Sequence, residues 1–374
     1  MAKLSIVIPM FSVKHHGGVR IILQFANYLV DKGHKITIIT PKDKFNPIYP
    51  VSEKIKIEFI SPVGRNKIFY LKTLVEFIFK ISKNDFILAN FFPTFYSSLL
   101  AQFLNKGKIV YFVQGVGETH FSFKAPFAQI LKLTENYSFK FNIPIVITSD
   151  WEKNCILSVN KNANFKKIPL GLPEGIFYPD NLLKTKNSEK IILYFPRKET
   201  RKGLKDFLKT LEILIEHKNK FTLGLVTKEK EILSEFDYLN NQIKIKFFNP
   251  KNDEELRKIY SSAYVLANSS WVEGFYLPAL EAMACGTPAV ITDCGGVREY
   301  AEDNYNCLVV PPKHPELLAY SLEKILKDES LREELAKHAL EISDKFKFIN
   351  FAQEFENYLY NLKFKDNIKS IINI

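Results

Sequence analysis

Glu273-Gly274-Phe275-Tyr276-Leu277-Pro278-Ala279-Leu280-Glu281-Ala282-Met283-Ala284-Cys285-Gly286-Thr287-Pro288-Ala289-Val290 is the stretch on which the reading of this 374-residue chain turns. Glu273 sits on a glycine-containing segment. Pro278 opens a helix, because proline suits the first turn, where no N–H partner is needed. That helix carries Glu281, and the apolar run Thr287–Thr292 after it reads as a buried strand. Two acids on either side of free helix N–H groups suit a charged, hydroxyl-rich ligand: the N–H groups take phosphate oxygens and the carboxylates accept from sugar hydroxyls.

Working outward, strand and helix patterns alternate through the chain. Leu4–Ile8, Ile36–Ile39, Phe86–Ala89, Ile109–Val113 and Ile145–Thr148 read as buried strands, with helices over Val19–Asp31, Asn66–Lys83 and Ala125–Lys140. The pattern then restarts with strands at Ile191–Phe195, Phe221–Val226, Ile243–Phe247, Tyr264–Ala267 and Ala289–Ile291. Alternation of this kind predicts parallel sheets covered on both faces. The expected fold class is α/β: two Rossmann-like, doubly wound domains with a cleft between them. The turn-rich, polar run Gly171–Asn187 marks the seam. It gives a first domain over residues 1–175, a second over 176–345, and an amphipathic helix in the tail 346–374.

The net charge of +11 is uneven. Met1–Gly175 holds 23 Lys and Arg against 11 Asp and Glu, whereas Ile176–Ile374 holds 29 against 30. The basic half suggests an anionic partner: nucleic acid, an acidic membrane surface or a phosphorylated acceptor. The four cysteines (Cys155, Cys285, Cys294, Cys307) show no paired or metal-finger spacing, and a reducing cytoplasm suits them. The N-terminus runs straight into a strand, so no signal peptide is expected. Phe86–Asn105 is uncharged, but its Asn, Pro, Ser, Thr and Gln residues read as a strand followed by a helix, not a membrane span.

Ligands of open α/β sheets lie beyond the C-terminal strand ends, and the remaining motifs stand there. Gly17 and Gly18 follow the first strand and precede a helix, letting backbone N–H groups approach a ligand. They do not form the dinucleotide fingerprint, which disfavours a nicotinamide dehydrogenase. Pro196-Arg197-Lys198-Glu199-Thr200-Arg201-Lys202-Gly203 follows the strand Ile191–Phe195 and supplies cations; Arg201 and Lys198 read as surface residues.

The 273–290 run resembles the signature of retaining, nucleotide-sugar-dependent glycosyltransferases of family 4, which have the GT-B architecture, and the resemblance covers most of the chain. It implies Glu273 beside the donor sugar, Glu281 on the ribose hydroxyls, and the backbone of Gly274, Phe275, Tyr276 and Leu277 towards the phosphates or sugar. Arg197 and Lys202 match the family's Arg-x4-Lys-Gly cations, which stabilise a departing diphosphate. Gly17 and Gly18 fall where the family places a diphosphate loop, and Glu299 falls in its Gly-Gly-x-x-Glu turn near the donor. Many relatives carry a histidine where Gln114 stands, so His120, six residues on, is the substitute candidate, with Glu118 as a further acceptor-side residue. A glycine is common in the family where Tyr276 stands. The family's last helix packs back on the first domain, and the same is expected of 346–374.

No Asp-x-Asp motif occurs, so no metal and no other cofactor is expected. The implied partners are a nucleotide sugar, a glycan or lipid-linked acceptor and, through the basic first half, an anionic membrane surface met from the cytoplasm. Rival readings are an epimerase or hydrolase of a nucleotide sugar on the same fold, and a non-catalytic glycan- or membrane-binding member.

Overall fold

A computed structural model of the chain describes residues 3–13, 17–47, 49–62, 67–117, 126–180 and 189–372. The chain divides into two compact units. Met1–Gly117, Gln129–Leu170 and Asn350–Ile374 fall in the first, and Gly171–Ile349 falls in the second.

The first unit is built on a seven-stranded parallel sheet in the order β3-β2-β1-β4-β5-β6-β7. Its strands are β1 (Ser5–Pro9), β2 (Lys35–Pro41), β3 (Lys56–Ile60), β4 (Phe86–Ala89), β5 (Lys108–Phe112), β6 (Ile145–Ile147) and β7 (Phe165–Lys167). Its helices are α1 (Gly17–Asp31), α2 (Lys67–Lys80), α3 (Phe92–Phe103), α4 (Pro126–Ser138) and α5 (Asp150–Val159). Central strands such as Phe86-Ile87-Leu88-Ala89 are buried along their length, as expected of a sheet covered on both faces. β3 and β7, the two edge strands of this sheet, went unread in the sequence. Lys56-Ile57-Glu58-Phe59-Ile60 mixes charge with apolar residues, which a strand paired on one side tolerates.

The second unit repeats the plan with six parallel strands in the order β10-β9-β8-β11-β12-β13. These are β8 (Ile191–Tyr194), β9 (Thr222–Val226), β10 (Lys244–Phe248), β11 (Val265–Asn268), β12 (Ala289–Thr292) and β13 (Leu308–Val310). The covering helices are α6 (Leu204–Glu216), α7 (Asp253–Ser262), α8 (Leu277–Ala284), α9 (Pro315–Lys327) and α10 (Glu329–Ser343). Its core joins Tyr194, Phe207 and Leu211 to strand residues such as Leu223, Val265 and Val290. The strand order reverses between β1 and β4 in one sheet and between β8 and β11 in the other, and each such switch point opens a crevice at the strand C-termini.

α11 (Phe348–Ile372) follows, and from Asn350 onward it belongs to the first unit. Its buried residues Phe348, Phe351, Ala352, Phe355, Leu359 and Leu362 recur at helical spacing. Phe355 stacks on Phe25 of α1 with ring centroids 4.6 Å apart. A buried polar clamp accompanies the rings. The Leu4 N–H donates to His34 Nδ1 at 3.0 Å, so the other ring nitrogen carries the proton. That nitrogen lies 2.9 Å from Glu356 Oε1, while the Tyr28 hydroxyl donates to Glu356 Oε2 at 2.6 Å. Phe86–Asn105 forms β4 and α3, and no helix among the described residues is long and apolar enough to cross a membrane.

Candidate functional site

The segment after β8 is brought against the segment after β11. Thr200–Lys202 forms a 3-10 turn closed by Gly203, whose φ of 67° is left-handed. A Cβ on Gly203 would lie 1.9 Å from the Ser269 carbonyl oxygen, so only glycine lets these two backbones meet. The Tyr194 hydroxyl and Ser269 Oγ are 2.9 Å apart, and Ser269 Oγ donates to the carbonyl oxygens of Lys202 and Gly203 at 3.1 and 2.9 Å. The Trp271 N–H donates to the Arg201 carbonyl at 2.7 Å, and the Trp271 indole donates to Asp206 at 2.5 Å. Lys202 is thereby fixed before its side chain is considered.

The Glu273 backbone is held from the other side. Its N–H donates to the Cys294 carbonyl at 2.8 Å, and its carbonyl accepts from the Gly296 N–H at 3.0 Å. A Cβ on Gly296 would meet the Gly274 carbonyl oxygen at 1.8 Å, so the Gly295–Gly296 turn locks the acidic loop by close approach.

In this frame the Lys202 ammonium donates to Glu273 Oε1 at 2.6 Å, and Arg201 Nη1 lies 3.4 Å from Glu273 Oε2. Burial raises the Glu273 carboxyl, but the two cations outweigh it and hold the group below its ordinary value of 4.5. Cys294 lies in the same field, and its thiol is pushed up by burial and by Glu273. The arrangement is an acid kept ionised between two positive groups, able to pair with positive charge developing on one side while its cations meet negative charge on the other.

Arg201 corrects the sequence reading: it is not a surface residue. Its side chain is mostly buried, and it donates to the Val272 carbonyl as well as to Glu273. The Arg-x4-Lys spacing drew attention to Arg197 and away from it, and only the structure shows that Arg201 precedes Lys202 in a turn whose carbonyls are bound to the segment that leads to Glu273. Lys198 is exposed and pairs with Glu231, as expected of a surface lysine. Arg197 is half-buried, donates to the Pro196 carbonyl and helps lower the Lys228 ammonium, whose chief cause is burial.

Gly274, Phe275 and Leu277 are buried around the start of α8, and Pro278 takes its second position. Glu281 is buried on α8, where Oε2 accepts from the Tyr260 hydroxyl at 2.8 Å. Glu299 ends the 3-10 turn Gly296–Glu299, half-buried. Beyond the strands of the first unit, Gly17 and Gly18 open α1, and Gln114 packs on Gly18 so closely that a Cβ there would lie 2.2 Å from Gln114 Oε1. The Gln114 amide nitrogen is buried and makes no hydrogen bond among the described residues. The Gly117 N–H, at the end of the same loop, donates to buried Glu135 at 2.6 Å. Glu118 and His120 lie outside the described residues.

Residues 181–356 match the family model described as Glycosyl transferases group 1. An uncharacterized glycosyltransferase of Methanocaldococcus jannaschii is 29% identical over 210 residues, which is 55% of this chain and 50% of that protein, so the match spans about half of each. The N,N'-diacetylbacillosaminyl-diphospho-undecaprenol alpha-1,3-N-acetylgalactosaminyltransferase of Campylobacter jejuni is 25% identical over 335 residues, 83% of this chain and 87% of that one. Among solved structures, Anabaena Alr3699/HepE in complex with UDP-glucose shares the fold with a TM-score of 0.75 at 18% identity, over 96% of this chain and 100% of that one. The segment 181–356 is thus similar to the glycosyl transferases group 1, and the chain that carries it has the GT-B fold.

Proposed function

We propose that the protein is a retaining, metal-independent glycosyltransferase of family 4, moving a sugar from a nucleoside diphosphate sugar to a hydroxyl of a glycan or lipid-linked acceptor. The observation that carries this is the Lys202–Glu273–Arg201 cluster at the switch point of the second sheet. The names of similar proteins support it: one was solved with UDP-glucose, and another acts on a diphospho-undecaprenol acceptor.

In this reading the anomeric C–O bond to the diphosphate breaks and a bond from the acceptor oxygen to the same carbon forms on the same face. The acceptor proton passes to the leaving phosphate oxygen, so no enzymic nucleophile is required. Arg197 and Lys202 meet the charge gained by the leaving diphosphate, a stabilisation larger in the transition state than in the ground state. Glu273, kept ionised by Lys202 and Arg201, faces the positive charge at the anomeric carbon. Glu281 serves the ribose, Glu299 supports the donor loop, Gly17 and Gly18 approach the donor diphosphate, Gln114 and Glu118 serve the acceptor, and His120 is the candidate to act beside the donor sugar. Glu273→Gln and Arg197→Ala each remove transfer, measured as product from a donor and acceptor panel, while circular dichroism stays unchanged. Near-normal turnover in both sinks the assignment. Full-rate conversion without acceptor points instead to an epimerase or hydrolase.

The first unit is also proposed to meet an anionic membrane surface. On α2, Leu71, Val75 and Phe79 stand one turn apart at 64%, 42% and 76% exposure, and Leu100, Phe103 and Leu104 around the end of α3 are at least half exposed. Lys106 Nζ donates to the Ile78 and Phe79 carbonyls, tying the two helix ends together. Exposed Lys72, Lys80 and Lys83 give the patch positive charge. Flotation with phosphatidylglycerol vesicles is expected, with little on phosphatidylcholine and a loss in Phe79→Ser/Phe103→Ser. Equal flotation of that variant, or concentration-dependent dimers without vesicles, refutes it.

A further inference from the structure

Trp271 joins three segments at the C-terminal end of the second sheet. It lies half-buried on the segment after β11, two residues before Glu273. Its backbone N–H donates to the Arg201 carbonyl at 2.7 Å, and its indole N–H donates to Asp206 Oδ2 at 2.5 Å. Arg201 and Asp206 bracket Lys202 and Gly203, so one residue grips both ends of the stretch that leads from the cations into α6. Asp206 stands in the first turn of that helix, which fixes its carboxylate relative to the turn before it. On the face of the indole lies the Lys313 ammonium, 4.4 Å from the ring centroid. Lys313 comes from the segment between β13 and α9 and holds φ 65°, a left-handed backbone that an L side chain adopts at a cost. An indole suits both partners, because its face is negative and its N–H edge positive.

We propose that Trp271 is a positioning residue: its indole, held by Asp206 and Lys313, sets where the Lys202 ammonium stands, and through it how strongly the site takes a diphosphate. The inference rests on the donor site proposed above and adds to it a residue that acts through Lys202. The Ser269 hydroxyl holds the Lys202 and Gly203 carbonyls, which leaves the start and the end of the stretch to Trp271. A cation aimed at a diphosphate is worth most when its position is fixed before the ligand arrives, since no reorganisation is then required. Releasing the indole from Asp206 frees one end of the stretch, and the ammonium loses its fixed aim.

The test uses the full chain and calorimetric titration. UDP, GDP, ADP and dTDP are titrated into the parent, and the nucleoside diphosphate that binds is carried into the variants. Trp271→Phe keeps a ring under Lys313 and deletes the N–H, whereas Asp206→Ala deletes the acceptor; each is expected to weaken binding by about tenfold. Asp206→Asn keeps an acceptor oxygen and is expected to stay within about threefold of the parent. In a Lys202→Ala background, Trp271→Phe is expected to weaken binding no further, because its effect passes through the ammonium. Unfolding midpoints confirm that each variant is folded. If no nucleoside diphosphate binds the parent, or if Lys202→Ala binds it as well as the parent does, the donor-site reading itself falls and this proposal falls with it. If Lys202→Ala weakens binding but Trp271→Phe does not, the proposal alone is overturned. It is overturned as well if Asp206→Asn is as impaired as Asp206→Ala, or if the losses in Trp271→Phe and Lys202→Ala add.

Discussion

Lys202 and Glu273, 71 positions apart in the chain, form a 2.6 Å ion pair in which the carboxylate is buried and shared with Arg201. A carboxylate in such a setting depends on its partners, because leaving one buried charge unpaired costs more than the pair contributes.

Lys202→Ala is therefore expected to affect stability as well as turnover. With Arg201 still present and the site partly open to water, the loss should be about 2 kcal/mol. Glu273→Gln, which keeps the shape and deletes the charge, should cost less stability but about 100-fold or more in kcat. Urea unfolding alongside steady-state kinetics separates the two. A Lys202→Ala variant as stable as the parent would show that the pair is not coupled to the fold.

The pH dependence has a fixed sign. Glu273 titrates below 4.5 in the folded state, so its contribution is complete above the unfolded value and is lost as pH falls through the folded one. Glu189 behaves alike: Lys246, Thr222 and Lys244 bring it down to about 2, placing its loss between 4.5 and about 2. Lys246→Ala or Lys202→Met should move the acid-unfolding midpoint upward, read by tryptophan fluorescence. A midpoint that stays put or falls contradicts the assignment.

Gly296 and Gly175 offer a matched comparison. A Cβ at Gly296 meets a backbone oxygen at 1.8 Å, whereas at Gly175, with φ 71°, nothing lies within 4 Å. Gly175→Ala should cost only left-handed strain, about 1–2 kcal/mol. Gly296→Ala should cost more and abolish nucleotide binding, since it drives the Glu273 loop off the turn that holds it. Comparable melting temperatures for the two variants would refute this.

Gly18 and Gln114 should behave as one unit. Gly18→Ala places a methyl where Gln114 Oε1 stands, and because that oxygen ends a flexible side chain, the amide moves instead of the backbone. Gly18→Ala and Gln114→Ala are each expected to lower turnover by about tenfold, with the double variant no worse than the more impaired single one. Additive losses would show that the two positions act separately.

Phe355→Ala tests how α11 is held. Removing a ring stacked on Phe25 and packed edge-on against Phe112 should cost about 3–5 kcal/mol. A loss under about 1 kcal/mol would mean the helix contributes little to the first unit.

Much of the architecture was legible from pattern. Buried parallel strands such as Ile191–Tyr194 read as short apolar runs, and helices such as α1 read as 3.6-residue periodicity, because both faces of the sheet are covered. The edge strands β3, β7 and β13 were not legible: β3 and β7 carry charged residues, and β7 and β13 are only three residues long. Lys202 and Glu273, which the structure pairs, were both named from spacing and family resemblance. Arg201 was missed, since an arginine in a basic loop looks the same in sequence whether it points to water or to a buried carboxylate.

Order along the chain settled which segments follow which strands, and hence that Gly17, Arg197 and Glu273 all stand after strand ends. It could not settle which of those segments touch. That came from the β8–β11 adjacency of the sheet, which sets Lys202 on Glu273, and from the close glycine contacts that let the two loops approach. The left-handed turn at Tyr276 belongs to the same class: hydrogen bonds from distant residues fix the backbone against the local preference of a tyrosine, and local preference is all that a linear pattern records.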